Sequence, residues 1–270
     1  MSNLFLSVII PTYKRNDLLF NCLTMLSPDK QTISSDLYEV IVTDDSKNQM
    51  SLELSKDFPW AKFIQGPQKG PASNRNNGAK NANGNWFVFI DDDCLPDSNI
   101  LKSYYDAISN GSYRALEGYI NAERPKQRVD EESPLNLKGN CFWSCNIAIE
   151  RELYGELKGF DEGFPYAAME DTDLFERLQK IATHNFVPEA KVIHPWRRVK
   201  PFQNFKKRLL SNQYSLNKNH IKRDFNYRFQ RLKLCVGVII SDTKLLFKFR
   251  FRGFGVYLDR VCFQIVMLFI

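Results

Sequence analysis

Short apolar runs alternate with segments of helical periodicity along the first hundred residues. Runs rich in β-branched and aromatic residues predict strands at 4–10, 38–44, 61–65 and 86–91. The segments between them predict helices at 16–26, at 48–57, at 71–82 and from a cap at Asp97 to about Ser109. This βαβαβαβ order predicts an α/β fold, a doubly wound and mostly parallel sheet with helices on both faces.

Polar side chains follow three of the predicted strands. Pro11 and Tyr13 follow the first strand, Asp45 follows the second, and the run Asp91–Asp93 follows "WFVFI". In open α/β sheets, ligands bind beyond the carboxyl ends of the strands, so these residues are expected to share one rim. The sequence has neither a G-x-G-x-x-G nor a G-x-x-x-x-G-K-[ST] loop, so neither a dinucleotide fingerprint nor a P-loop accounts for this rim.

Three consecutive carboxylates repel one another unless a cation lies among them. Mg²⁺ and Mn²⁺ take oxygen ligands, commonly one or two carboxylates together with substrate phosphates. Such a metal neutralises the charge that builds on a diphosphate leaving group. The alternative is a solvated acidic loop. The buried strand before the triplet and the Cys-Leu-Pro turn after it favour the metal site.

The charge of the chain is unevenly distributed. The net charge is +6, yet residues 201–270 hold 14 Lys and Arg against 3 Asp and Glu, whereas residues 1–200 hold 23 against 28. This asymmetry predicts an acidic body over 1–200 and a basic, aromatic, mainly helical extension over 201–270, with a boundary near Pro201.

The extension mixes aromatic and basic residues at helical spacing. Its two apolar stretches are interrupted by charges and are shorter than the roughly 20 residues of a spanning helix. This pattern predicts association with an anionic membrane surface. A packed helical subdomain or a homodimer contact is the alternative, and no nucleic-acid motif is present. The start of the chain lacks a signal-peptide pattern, and the six cysteines form no regular framework. We therefore expect a cytoplasmic protein, peripheral on the inner face of the cell membrane.

Five segments resemble family 2 glycosyltransferases of the GT-A fold, of the inverting, bacterial surface-polysaccharide type. In chain order they are "SVIIPTYKR", "VIVTDDS", "GPASNRNNGAKNANGNWFVFIDDD", "GFDEGFPYAAMEDTDLFERLQ" and "PEAKVIHP". They cover residues 4–195 in the order of the family, and the resemblance implies a nucleotide-sugar-binding and catalytic domain over 1–200. The D-x-D motif of the family matches the aspartate triplet.

The resemblance implies a nucleoside-diphosphate sugar as donor, with a UDP-sugar foremost. Pro11 and Tyr13 would pack against the base and ribose, and Asp45 would hydrogen-bond the base. Arg75 would contact the nucleotide, although a solvated helix residue is its alternative. Asp91 would lie near the ribose.

The resemblance also implies where Mg²⁺ or Mn²⁺ binds. Asp93 and Asp91 match the two aspartates of D-x-D and would hold the metal, while Asp92 fills the variable middle position on the nucleotide side. His194 matches a histidine that approaches the metal or the diphosphate. A lone histidine at a strand end is as often structural, and both roles stay open.

Asp171 matches the general base that takes the proton from the acceptor hydroxyl, and Glu170 would orient the acceptor. Both open a predicted helix whose buried stripe would be Leu174, Leu178 and Ile181. Carboxylates in a first helical turn also favour the helix dipole, which is the alternative reading of these acids.

The function predicted from these features is transfer of a sugar to a hydroxyl of a glycan acceptor that is linked to polyprenol diphosphate. Loop 121–140 would shape the choice of sugar and acceptor. A sugar-nucleotide nucleotidyltransferase would need a Gly-rich basic loop after the first strand, and "PTYKRND" is not one. A catalytically dead nucleotide-sugar-binding scaffold is the non-enzymatic alternative.

Overall fold

The computed structural model describes residues 5–166 and 169–270. They divide into two compact units. The first contains the chain up to Ala122, Pro134–Gly163 and Glu170–Pro195. The second contains Glu123–Ser133, Phe164–Met169 and Trp196–Ile270. The helical C-terminal part thus shares a unit with a segment of the loop at 121–140. The predicted domain boundary at residue 200 stays a prediction.

The strands alternate with helices as the apolar pattern predicts. The strands are β1 (Leu6–Thr12), β2 (Tyr38–Asp44), β3 (Ala61–Gln65), β4 (Trp86–Ile90), β5 (Leu95–Pro96), β6 (Ala115–Asn121), β7 (Glu131–Glu132), β8 (Asn146–Glu150), β9 (His184–Ile193) and β10 (Arg197–Arg198). The α-helices are α1 (Asn16–Leu26), α2 (Pro71–Lys80), α3 (Ile100–Asn110), α4 (Arg151–Glu156), α5 (Glu170–Leu178), α6 (Phe205–Lys218), α7 (Phe225–Lys248) and α8 (Phe254–Val266). Within the predicted strand 4–10, residue 4 lies outside the described residues.

One sheet of eight strands forms the centre of the first unit, in the order β3-β2-β1-β4-β8-β6-β9-β5. Strands β3, β2, β1 and β4 are mutually parallel. Strand β8 is antiparallel to both of its neighbours, and β6 is parallel to β9. The carboxyl ends of β1, β2 and β4 therefore lie on the same rim, which is where the polar clusters were expected.

Both faces of this sheet are buried. In β1, Val8 and Ile10 belong to one apolar cluster, which includes the buried side chains of α1 and α3. Ile9 belongs to a second cluster, with buried side chains from α2, α4 and α5. Successive residues of a strand point to opposite faces, so an uninterrupted apolar strand needs helices on both sides. The predicted doubly wound architecture is confirmed, with antiparallel strands added beyond β4.

The type of one helix and the start of another differ from the prediction, because side-chain oxygens accept hydrogen bonds from the local backbone N–H groups. The segment Met50–Lys56 is a 3₁₀ helix rather than the α-helix predicted at 48–57. The N–H of Ser51 donates to an Asp44 carboxylate oxygen at 2.7 Å, and this side-chain bond replaces a regular helical one. Asp97 does not cap α3. It forms the turn before the helix and accepts from the N–H of Asn99 at 2.9 Å.

Helix α5 is shorter than its apolar pattern predicts. Leu174 and Leu178 are fully buried, but the helix ends at Leu178. Ile181, expected on the same stripe, follows in a turn and is 54% exposed. Helical spacing places a residue on a face only while the helix continues, so this part of the prediction is wrong.

The second unit consists of α6, α7 and α8 with a two-stranded sheet of β7 and β10. Arg260 in α8 donates to Glu132 in β7 at 2.7 Å and lies 3.5 Å from Asp242 in α7. Arg208 in α6 pairs with Asp259 in α8. The predicted helical extension is confirmed. Across residues 5–166 and 169–270, no helix is both long enough and apolar enough to span a bilayer.

Candidate active site

The three aspartates after β4 have different sets of partners, although Arg15 pairs with both Asp92 and Asp93. Asp92 is the fully buried middle member. It accepts from the Thr12 hydroxyl at 2.7 Å and pairs with Arg15 at 2.8 Å. These contacts tie the end of β4 to the end of β1. The role of Asp92 on the nucleotide side stays a prediction, and Arg15 was not among the expected site residues. A basic residue in the turn after β1 was the signal for it.

Asp93 and His194 meet at the rim, both almost completely buried. The Oδ1 atom of Asp93 lies 3.4 Å from Nε2 of His194. On the other side of the ring, Nδ1 is 2.9 Å from the carbonyl oxygen of Pro195, which can only accept, so Nδ1 carries the hydrogen. In the neutral imidazole, Nε2 then presents a lone pair towards a carboxylate oxygen. Two facing acceptors fit a cation, either a proton or a metal ion, between them.

The donor set at this position suits a hard or borderline divalent ion. The ligand atoms of Asp93, His194 and Cys94 all lie within 4.8 Å of one another. However, the hydrogen bond with Cys145 and burial raise the pKa of the Cys94 thiol well above its ordinary value. The thiol is thus a poor ligand, because metals bind the thiolate. The carboxylate of Asp93 and the imidazole of His194 remain as ligands. Both suit Mn²⁺, whereas Mg²⁺ would favour the carboxylate oxygen.

Arg75 of α2 connects the aspartate triplet to α5. Its guanidinium is buried and donates to Asp91 at 2.7 Å. A second nitrogen lies 3.6 Å from the carboxylate of Glu170. The ring of Phe160 packs 5.4 Å from the guanidinium carbon. One arginine therefore compensates carboxylates at the end of β4 and at the start of α5, while the nucleotide contact expected of it stays a prediction.

Asp171 offers a buried acceptor to the site. Its Oδ2 accepts from the N–H of Ser144 at 3.3 Å. Its Oδ1 is inaccessible to solvent and has no hydrogen-bond partner among the described residues. Burial raises the pKa of Asp171, and the nearby charge of Arg75 opposes this shift. Burial, followed by the charge of Asp171, likewise raises the pKa of Glu170 to about 7. An unsatisfied buried carboxylate oxygen suits a group that accepts a proton from a substrate hydroxyl.

The residues expected at the nucleobase are held at other points of the rim. Pro11 lies near the end of β1, paired with Thr43 of β2. Tyr13 is 53% exposed. Asp45 accepts from two backbone N–H groups, those of Gln68 and Gly70, each at 2.7 Å, and so shapes the loop before α2. The roles of these three residues in nucleotide binding stay predictions.

Glu117 is a buried carboxylate that the sequence analysis missed. It accepts from the backbone N–H groups of 140–142 and lies 3.0 Å from Nε2 of His184. Burial alone would raise its pKa, but these hydrogen bonds hold it at about 2. Asn140 and Phe142 have positive φ angles of 68° and 49°, so the ionised carboxylate stabilises an unfavourable loop. A single charge inside "ALEGYIN" was its signal in the sequence.

Comparison with known proteins agrees with this architecture. The family model described as "Glycosyl transferase family 2" matches residues 7–150, more than half of the chain. Among curated proteins, the GalNAc(5)-diNAcBac-PP-undecaprenol beta-1,3-glucosyltransferase of Campylobacter jejuni is 33% identical over 157 residues, which is 56% of this chain and 42% of that protein.

Two solved structures share the fold. Staphylococcus aureus TarS 1–349, in complex with UDP-GlcNAc, has a TM-score of 0.59 and 20% identity over 77% of this chain and 65% of that one. The mannosyltransferase PcManGT of Pyrobaculum calidifontis, in complex with GDP-Man and Mn²⁺, has a TM-score of 0.55 and 18% identity over 76% of this chain and 60% of that one. At such identities the likeness concerns the fold alone.

This chain spans less than two thirds of the length of each of these three proteins. The fold is the GT-A fold that the resemblance implied. The family assignment rests on the matched segment, which runs from β1 through the aspartate triplet to the end of β8. The chain belongs to glycosyl transferase family 2.

Proposed function

We propose that this protein is an inverting glycosyltransferase that moves a sugar from a nucleoside-diphosphate sugar to a hydroxyl of a glycan acceptor. One observation carries the proposal. Arg75 pairs with Asp91, two residues before the Asp93 of the Asp93–His194 pair, and lies 3.6 Å from Glu170, whose neighbour Asp171 has a buried Oδ1 without a hydrogen-bond partner among the described residues. An acceptor for a proton and a candidate cation site are the two parts that a single displacement at an anomeric carbon requires.

The donor would lie along the carboxyl ends of β1, β2 and β4. A UDP-sugar is the first candidate, since the fold is shared with a protein solved with UDP-GlcNAc. Asp93 and His194 would hold Mg²⁺ or Mn²⁺, with Asp91 close by. When bound, the metal would supply positive charge for the departing diphosphate. Arg15, which pairs with Asp92 and Asp93, adds a fixed positive charge beside them.

Asp171 would act on the acceptor. Its carboxylate would take the proton of the attacking hydroxyl, and Glu170, one residue earlier in the same turn, would orient that hydroxyl. Burial raises the pKa values of both carboxyls, so each becomes a stronger base than an exposed carboxylate. A general base is most effective when its pKa lies near the working pH, so an upward shift from the usual carboxyl pKa suits this role.

The acceptor is proposed to be a glycan on polyprenol diphosphate. The support is the 33% identity with an enzyme whose name specifies an undecaprenol-diphosphate-linked acceptor. Glu117 would matter here through the loop that it holds at 140–142, next in sequence to Trp143 and Ser144. This loop precedes the N–H of Ser144 that donates to Asp171, so its shape positions the base.

Asp93→Ala is expected to abolish the metal-dependent part of UDP binding. The substitution removes the carboxylate ligand of the Asp93–His194 pair and leaves only the imidazole of His194. Titration calorimetry of UDP with and without Mn²⁺ measures the effect. Asp97→Ala, an exposed aspartate in the turn four residues later, is the matched control and should bind as wild type does. Equal UDP affinity with and without metal in the wild-type protein would contradict the metal site.

A further inference from the structure

Helix α7 has an apolar stripe that faces solvent. Its spacing of three, four and seven residues keeps one set of side chains on a single face. That set, exposed throughout, is Phe225, Phe229, Leu232, Val236, Ile240 and Phe247. Another face of α7 packs against the rest of the second unit. Its buried residues are Cys235, Asp242 and Leu246. The stripe is thus additional to the face that the fold of this unit already uses.

Basic side chains border the stripe. Arg228, Lys233 and Lys244 are exposed beside it. The ammonium of Lys233 lies 4.5 Å from the ring centre of Phe229. The helix has five Lys and Arg and one acid, the buried Asp242. An apolar stripe with positive borders and no exposed carboxylate complements a surface that is apolar within and negative outside.

The length of the helix limits what it can bind. Its 24 residues extend roughly 36 Å at about 1.5 Å per residue. Its charges exclude a spanning orientation, in agreement with the lack of any membrane-crossing helix in the described ranges. Pairing of two copies through this face would bring two positively bordered stripes together, which like-charge repulsion disfavours. A helix of this kind lies flat in the interface of a bilayer.

We propose that α7 is a membrane-docking helix, which inserts Phe229, Val236 and Ile240 into the interface of an anionic phospholipid bilayer. Lys233 and Lys244 contact the lipid phosphates, and each basic residue near such a surface adds to the attraction. The stacked rings of Phe225 and Phe229, with centres 6.3 Å apart, extend the apolar contact at the start of the helix. The proposal does not depend on the catalytic assignment.

The test compares two substitutions on opposite sides of the same helix. Ile240 and Leu234 are 50% and 49% exposed, but Leu234 lies off the stripe, about 200° from Val236 at 100° per residue. Ile240→Glu and Leu234→Glu change charge and size identically. Full-length protein is sedimented with vesicles of phosphatidylcholine and phosphatidylglycerol, and separately with phosphatidylcholine alone.

We expect wild type to sediment with the anionic vesicles, and less so as salt is added. Ile240→Glu should weaken this binding about tenfold, because it replaces an inserted side chain by a charge, while Leu234→Glu should bind almost as wild type does. Equal loss in both variants would show a general charge effect and overturn the proposal. So would a wild-type protein that ignores the vesicles, or one that dimerises through Ile240 instead. UDP binding, measured in parallel, reports on the catalytic proposal separately.

Discussion

Asp171→Asn is expected to lower the rate of sugar transfer by about 10²–10⁴-fold, the usual contribution of a general base. The substitution retains the size of the side chain and can still accept from Ser144, but the amide has no basic lone pair for the acceptor proton. UDP affinity should not change, because the base acts on the acceptor. Rates come from single-turnover assays with an established acceptor, and UDP affinity from calorimetry.

Asp173→Asn is the matched control for this experiment. Like Asp171, Asp173 is an aspartate in the first turn of α5, and it pairs with Arg177 at 2.7 Å. Its loss should affect stability and leave the transfer rate close to that of wild type. If Asp171→Asn retained wild-type turnover, or if the two variants lost activity equally, another group would be the base.

Arg75→Met is expected to lower the free energy of unfolding by about 3–5 kcal/mol, the usual cost of removing one partner of a buried ion pair. Methionine fills part of the same space beside Phe160, so the principal loss is the charge. Asp91, Glu170 and Asp171 would then be left without their shared cation. Urea unfolding followed by tryptophan fluorescence measures the change.

The loss in Arg75→Met should depend on pH. Without Arg75 the folded-state pKa values of Glu170 and Asp171 rise further above their unfolded values. A buried carboxyl costs little folding free energy while it is protonated and more once it must ionise. The destabilisation by Arg75→Met therefore grows as the pH rises from about 5 towards 8. Arg114→Met, which removes a partly exposed arginine from its pairs with Glu150 and Glu156, is the control and should cost at most about 1 kcal/mol. Equal costs for the two variants would contradict the role of Arg75.

The apolar pattern predicted the parallel half of the sheet well, for a physical reason. Strands β1, β2 and β4 are buried on both faces, so their sequences are almost continuously apolar and do not depend on distant partners. The start of α3 and the 3₁₀ helix at Met50–Lys56 depend on individual side-chain hydrogen bonds to the backbone. The end of α5, which exposes Ile181, is likewise not encoded in apolar spacing.

The candidate site was predictable in its residue types and less so in its contacts. The aspartate triplet could be recognised at a strand end, but the sequence does not show that Asp92 points towards Thr12 and Arg15 while Asp93 points towards Arg15 and His194. These directions follow from the pairing of β4 with β1, and of β9 with β6. Glu117 was missed for the same reason, since its partners at 140–142 are more than twenty residues away.

Proton NMR of donor turnover by the wild-type protein tests the central claim most directly. With Mn²⁺, a UDP-sugar and a polyprenol-diphosphate glycan, we expect the anomeric signal of the donor to disappear, UDP to accumulate, and the transferred sugar to have the opposite anomeric configuration. Chelation should stop the reaction. If UDP binds in calorimetry but no nucleotide sugar in a panel is consumed, the protein is a binding scaffold. Retained anomeric configuration, or synthesis of a nucleotide sugar from a sugar phosphate and a nucleoside triphosphate, would equally contradict the account.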